Sequence, residues 1–178
     1  MSLTDTNWMN ASANSDGSLN ISPSASSSKN DFDFFIGEWK ITNKKLKTRL
    51  NNCTDWLFFD ACQDTRVILN GIGNVDRFIS TVNEQPFEGI TLRLFNPKTR
   101  LWSLYWADSN EGKMDPPLVG SFQNDIGRFY CTDTFNGQKI LVMFKWDKTN
   151  PNKPIWAQAF SNDNGKTWEW NWYMYFEK

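Results

Sequence analysis

Short runs of β-branched and aromatic residues, separated by turn residues at nearly regular intervals, fill the chain from Asp31 onward. This spacing is typical of a β-sandwich or a β-barrel. The clearest hairpin joins residues 90–95 to residues 101–106 across an Asn-Pro-Lys-Thr turn. Another contains Asn136-Gly137, the pair best able to adopt the positive φ angles of a tight turn. The pattern therefore predicts consecutive antiparallel hairpins.

The other strand segments have the same β-type composition, and helical periodicity is nearly absent. These segments are residues 34–47, 56–60, 66–70, 74–82, 127–135, 139–146, 155–160 and 168–176. A meander of about nine or ten strands tends to close, because closure removes exposed strand edges. We therefore predict an all-β fold with little helix, in the form of a closed antiparallel up-and-down barrel.

The first thirty residues differ from the rest of the chain in composition. They carry Ser, Asn, Thr, Asp and Gly with few apolar side chains, and residues 22–28 are almost entirely Ser, Pro and Ala. Such a segment buries too little apolar surface to offset the entropy of ordering it. We therefore predict a disordered Ser/Asn-rich leader over residues 1–30 and a single β-barrel domain over residues 31–178.

Charge and cysteine usage narrow the classes of partner. Basic and acidic residues are equal in number beyond residue 30, so a single-sign field that would attract nucleic acid or an anionic membrane is not expected. No apolar run is long enough to span a membrane. Cys53, Cys62 and Cys131 are odd in number and widely spaced, which favours free thiols in a reducing compartment. We expect a cytoplasmic monomer or homodimer.

Two motifs are interpreted as structural. Gly37-Glu38-Trp39 stands at the start of the first barrel strand, where in lipocalins and their relatives a Gly-x-Trp pattern closes the barrel floor. Residues 161–168 match the Asp-box pattern Ser-x-Asp-x-Gly-x-Thr-Trp at every fixed position, namely Ser161, Asp163, Gly165, Thr167 and Trp168. In families that carry it this box is a hairpin turn held by local side-chain hydrogen bonds. It occurs once here, so a repeated propeller is not expected.

Taken together, these segments resemble a family of uncharacterised bacterial calycin-like proteins related to the domain of unknown function numbered 1579. The matching stretches are residues 32–39, 71–76, 92–97, 116–122, 158–161 and 171–174. The resemblance covers essentially all of residues 31–178 and implies a lipocalin-type barrel, but no established activity. The chain departs from the family pattern at Ala157, where an acidic residue is usual, and at Met143, where Arg is usual.

The chain contains no histidine, which removes Ser-His-Asp triads, the usual zinc sites and His-ligated haem. No catalytic constellation, metal site or cofactor is predicted. The leading hypothesis is binding of a small apolar or amphipathic ligand in an aromatic-lined lumen. The candidate ligand-binding residues are polar or aromatic positions on the inner strands or rim: Arg93, Trp106, Tyr130, Gln158, Glu169 and Asn171.

Two alternatives remain open at this point. One is an isomerase or lyase in which Arg93 polarises a substrate carbonyl or carboxylate while Glu169 or Tyr130 moves a proton. The other is a protein-interaction module with a filled barrel and an exposed aromatic patch. Asp108 and Asp115 are kept with Trp106 as rim residues, because the Pro116-Pro117 pair marks an edge segment that often borders a lumen.

Overall fold

A computed structural model of the protein describes residues 9–82 and 85–178. Its strands, in chain order, are β1 (Ala11–Ala13), β2 (Leu19–Ile21), β3 (Gly37–Leu46), β4 (Trp56–Ile68), β5 (Gly73–Val82), β6 (Gln85–Asn96), β7 (Leu101–Asp108), β8 (Leu118–Gln123), β9 (Ile126–Phe135), β10 (Gln138–Asp147), β11 (Ile155–Ser161) and β12 (Glu169–Glu177). Within the described residues, helix is confined to the short 3-10 turns Asp33–Phe35 and Leu69–Gly71. No helix in this part of the chain is long and apolar enough to cross a membrane.

The ten strands β3 to β12 form a closed barrel. Each strand pairs antiparallel with the next in sequence, and β12 pairs with β3 to complete the cylinder. The last pairing aligns Trp172 with Lys45 and Glu177 with Lys40. This confirms the predicted closed up-and-down antiparallel barrel.

Strand β4 is a single strand, whereas the sequence suggested two pieces, at residues 56–60 and 66–70. The intervening residues include Gln63 and Thr65, whose side chains are polar but are buried in the barrel. The Gln63 side-chain amide donates a hydrogen bond of 3.0 Å to the Thr65 hydroxyl. Because these polar groups satisfy each other inside, the strand continues without a break.

Aromatic side chains fill the end of the barrel where β3 begins and β12 ends. The Phe35 ring lies 4.6 Å from that of Trp146 and 5.0 Å from that of Phe176, measured between centroids. Trp39 is almost fully buried, and its indole N–H donates a 2.8 Å hydrogen bond to the carbonyl of Phe35. Gly37 adopts φ +108°, a value that favours glycine. We call this packed end the floor.

A second apolar cluster lies on the outer face of β9 to β12. It comprises Tyr130, Leu141, Met143, Ala157, Ala159, Trp168, Trp170 and Tyr173. The antiparallel hairpin β1–β2 covers this cluster through the partly buried side chains of Ala11, Ala13, Leu19 and Ile21. We call this set of residues the outer cluster.

The leader therefore differs from the disordered segment that its composition suggested, over the part that the structure describes. Besides the hairpin, Ser24 donates a 3.0 Å backbone hydrogen bond to the Ser121 hydroxyl, and the Ser27 hydroxyl donates one of 2.6 Å to the Arg100 carbonyl. The Arg100 guanidinium in turn donates to the Ala25 carbonyl at 2.8 Å. Polar contacts with the barrel hold this segment, and composition does not reveal them. Disorder was also predicted for residues 1–8, which lie outside the described residues.

Candidate functional site

The half of the barrel opposite the floor encloses a cavity of about 500 Å³. Its aromatic lining comes from strands all round the barrel and includes Phe78, Trp106, Phe144, Trp156, Phe160 and Trp172. The cavity reaches a rim where β7 and β8 separate. These two strands pair from Trp102 to Leu104 of β7 and diverge beyond Leu104. Its volume lies within the range of sites for small molecules. We call this space the barrel cavity.

A buried ion pair forms the base of the barrel cavity. The Arg93 guanidinium lies 2.6 Å from the Asp76 carboxylate and donates a 3.0 Å hydrogen bond to the Asn74 side-chain carbonyl. The Arg93 and Asp76 side chains are 4% and 0% exposed. Burial raises the pKa of Asp76, and the Arg93 guanidinium opposes this increase. Arg93 thus meets a carboxylate inside the barrel, as expected of it, but the carboxylate belongs to the chain itself.

A β-bulge shapes the wall formed by β11 and β12. Gln158 pairs with Trp172 and Ala159 with Trp170, which leaves Asn171 as an extra residue. The simple alternation expected for this strand is therefore interrupted: Trp172 belongs to the inner core, whereas Trp170 belongs to the outer cluster. The Gln158 side-chain amide donates a 2.9 Å hydrogen bond to the side-chain carbonyl of Asn171.

Lys45 and Arg49 form a basic side of the cavity mouth. The Lys45 ammonium lies 3.8 Å from the centroid of the Trp172 ring. Burial, aided by the nearby Arg49 charge, lowers the pKa of Lys45 to about 8, although Asp108 opposes the change. Burial also lowers the pKa of Arg49, against the opposing charge of Glu169.

Three aspartates form the other side of the mouth. The Trp106 indole N–H donates a 3.1 Å hydrogen bond to Asp108, whose other oxygen accepts from backbone amides of the next loop. Burial opposes ionisation of Asp108, but these hydrogen bonds lower its pKa overall. Burial and the neighbouring Asp133 charge raise the pKa of Asp115. Asp108 and Asp115 therefore lie at the rim, where the sequence placed them.

Four of the six candidate ligand-binding residues lie at or directly behind the wall of the barrel cavity. Arg93, Trp106 and Gln158 line it, and Asn171 is fully buried against Gln158. Glu169 is at the rim, where its carboxylate accepts hydrogen bonds of 2.9 Å from the Leu50 backbone N–H. It therefore holds the loop after β3.

The placement of Tyr130 in the lumen was wrong. Tyr130 belongs to the outer cluster, and its hydroxyl accepts a 3.0 Å hydrogen bond from the Met9 backbone N–H. Its neighbours Phe129 and Cys131 point into the barrel instead. Both faces of β9 are buried here, because the β1–β2 hairpin covers the outside, so hydrophobicity alone does not distinguish inside from outside.

Three residues of the site were not singled out from the sequence. They are Lys45 and Arg49, which line the barrel cavity, and Asn43, which lies behind its wall. Asn43 is fully buried and accepts a 3.0 Å hydrogen bond from the Trp172 indole. The available signal was strand alternation, which puts Asn43 and Lys45 on the face of β3 that carries Trp39 and Ile41.

Residues 161–168 form a turn outside the barrel cavity. The Ser161 hydroxyl accepts from the Gly165 N–H at 2.8 Å, and Asp163 accepts from the Thr167 N–H at 2.9 Å. Burial opposes ionisation of Asp163, but the hydrogen bonds from Thr167 and Ser161 lower its pKa to about 2. Trp168 packs into the outer cluster. These contacts give the turn a structural role.

Within residues 9–82 and 85–178, no group of three or more Cys, Asp and Glu side chains is arranged to hold a metal ion. Comparison with known protein families found no matching family model, and a search of curated proteins found no match. The resemblance to the uncharacterised calycin-like family therefore stays a prediction. Ala157 and Met143, where the chain departs from that family's pattern, lie in the outer cluster, away from the barrel cavity.

Proposed function

We propose that the protein binds a small amphipathic molecule inside the barrel. The observation that carries this proposal is the contrast between the two halves of the lumen. Aromatic side chains pack the floor, whereas the other half keeps a cavity of about 500 Å³ that reaches the rim. A barrel that served only as a rigid core would be filled along its whole length.

The lining suits a ligand with an apolar body and a few polar groups. Trp106, Trp156 and Trp172 supply broad apolar faces, and Gln158 presents an amide among them. Cys131 also lines the space, and burial raises the pKa of its thiol to about 12. The thiol therefore remains protonated at neutral pH and acts as a small apolar group.

The alternative functions receive less support. An isomerase or lyase in which Arg93 polarises the substrate and Tyr130 moves a proton would need both groups in one space, but Tyr130 lies on the outer face and Arg93 is paired with Asp76. Glu169 is engaged with the backbone of the loop after β3. The experiment below also tests the remaining alternative, a protein-interaction module with a filled barrel.

The test is a fluorescence titration with N-phenylnaphthylamine, a neutral apolar dye. Wild-type protein should bind one dye molecule with enhanced emission. Cys131→Phe places a ring in the barrel cavity and should weaken binding about tenfold or more, which corresponds to about 1.4 kcal/mol. Thr134→Phe is the matched control, because Thr134 is exposed on the same strand and its side chain faces outward.

Thermal melting of both variants reports whether the barrel remains folded. Loss of dye binding in a folded Cys131→Phe variant, with the Thr134→Phe variant unchanged, supports the proposal. Absence of dye binding by the wild-type protein, or equal binding by all three proteins, contradicts it and favours the interaction-module alternative.

A further inference from the structure

We propose that Lys45 and Arg49 form a subsite for an anionic group at the mouth of the barrel cavity, so that the ligand is a planar apolar acid. This inference rests on the proposed binding function and specifies its ligand class. Both side chains line the barrel cavity and also an adjoining groove that shares Phe78 and Trp172 with it. The two cations therefore lie where an acid with its apolar body in the lumen would place its charge.

Neither cation of this pair has a direct carboxylate partner in the part of the chain that the structure describes. Among the described residues, none of the ion pairs within 4 Å includes Lys45 or Arg49. The Arg49 Nε atom is buried and has no hydrogen-bond partner in the same part of the chain. A buried donor without an acceptor is costly, and a bound anion would satisfy it. The Arg93 Nε atom is also buried without a hydrogen-bond partner among the described residues, but the Arg93 guanidinium already pairs with the Asp76 carboxylate.

The acidic groups nearby are engaged or lie apart. Glu169, which faces Arg49, accepts two hydrogen bonds from the Leu50 N–H, and Asp108 accepts from Trp106 and two loop amides. Glu111, Asp115 and Asp133 complete the charged lining. Mutual repulsion with Asp133 helps to raise the pKa of Asp115. The mouth as a whole carries more carboxylates than cations. Among the described residues, however, none of these carboxylates forms an ion pair within 4 Å with Lys45 or Arg49, so the two cations lack a direct anionic partner.

The position of Lys45 gives the subsite a pH signature. Burial and, to a smaller extent, the nearby Arg49 charge lower the pKa of Lys45 to about 8, against the opposing charge of Asp108. An anion beside the ammonium would raise that pKa, so binding should take up a proton near this pH. Affinity for the anion should therefore fall as the pH rises through about 8 and above.

The experiment measures displacement of N-phenylnaphthylamine by three ligands with the same aromatic body: naphthol, naphthoate and naphthyl phosphate. Naphthol is neutral at neutral pH, and the other two carry an anionic group. We expect at least one anion to compete about tenfold more effectively than naphthol, because its charged group can accept hydrogen bonds from the two cations. The stronger of the two competitors identifies the preferred anion as carboxylate or phosphate.

Lys45→Met and Arg49→Met should each remove most of this preference, measured in each variant as the ratio of the anion and naphthol affinities, so that any change in binding of the dye itself cancels. Lys44→Met is the matched control, because Lys44 is adjacent on β3 and stacks on Trp56 at the outer face. The pH dependence of naphthoate binding between about pH 7 and about pH 9 should disappear in Lys45→Met.

The outcomes separate the two proposals. Dye binding combined with equal competition by naphthol and both anions overturns the anion subsite and leaves the binding function standing. Anion preference that survives in both Lys45→Met and Arg49→Met also overturns the subsite. Absence of dye binding by the wild-type protein overturns both proposals.

Discussion

The buried ion pair between Arg93 and Asp76 shows how individual residues shape the interior of this barrel. The guanidinium lies beneath the barrel cavity, against Asp76 on one side and 5.1 Å from the centroid of the Phe35 ring on the other. Burying this pair costs desolvation free energy, which is recovered only while both partners are present. The pair therefore fixes the boundary between the packed floor and the cavity above it.

Removing either partner should destabilise the fold, but to different extents. Asp76→Asn should lower the free energy of unfolding by about 3–5 kcal/mol, because Arg93 cannot lose its proton and stays as an unpaired buried charge. Arg93→Met should cost less, since the Asp76 carboxyl can take up a proton. Urea unfolding at neutral pH gives both values.

The Arg93→Met variant should also acquire a pH dependence with a definite sign. Burial already raises the pKa of Asp76, and loss of the guanidinium removes the effect that opposes the increase. A carboxyl whose folded-state pKa exceeds its unfolded value stabilises most at low pH and loses that contribution as the pH rises. The deficit relative to wild type should therefore be smaller at about pH 5 than at about pH 8. Equal deficits at both pH values would contradict this account of the pair.

At the scale of elements, the positions of the strands could be predicted from the sequence. Which face of each strand points into the barrel was harder to predict. Strands β5, β7 and β9 to β12 agree with their predicted segments to within about two residues, because each is bounded by turn residues. Strand β6 begins at Gln85, ahead of its predicted start at residue 90, and β8 was predicted only as an edge segment at Pro116-Pro117.

Arg93 was expected inside the barrel as a cation in an apolar strand and Trp106 as a rim residue, and both line the barrel cavity. The alternation of inward and outward side chains is interrupted at Asn171, where one extra residue turns Trp170 outward. A bulge leaves no clear mark in the sequence, so this interruption was not predicted.

The β1–β2 hairpin is the element that sequence reasoning missed. Its composition resembles that of disordered chains, and it is ordered through a docking surface formed by residues more than a hundred positions later. That surface, the outer cluster, exists only once the barrel has formed. Local sequence therefore carries little information about it, which also explains the wrong placement of Tyr130.

The hairpin should contribute measurably to stability through its two larger apolar side chains. Replacing Leu19 and Ile21 by Ser should lower the free energy of unfolding by about 1–3 kcal/mol, because both side chains are only partly buried. The emission of the outer-cluster tryptophans should shift to longer wavelength as water reaches them. Ser12→Ala, at an exposed position on β1, is the control. Unchanged stability and emission in the double variant would show that the hairpin does not cover the outer cluster.

The described part of the molecule combines two apolar cores with a cavity in the barrel lumen. The floor closes the barrel from inside, the outer cluster braces β9 to β12 from outside, and the barrel cavity lies between the floor and the rim. The number of strands and their closure followed from the meander pattern. The fraction of the lumen left empty did not, because it depends on how the packed side chains of ten strands meet.

A crystal structure of the protein grown with N-phenylnaphthylamine tests the central claim most directly. The account predicts density for one dye molecule in the barrel cavity, in contact with Trp106, Trp156 and Trp172 and above the Arg93–Asp76 pair. An interior filled to the rim by the protein's own side chains, with the dye absent or bound only on the outer surface, would contradict it.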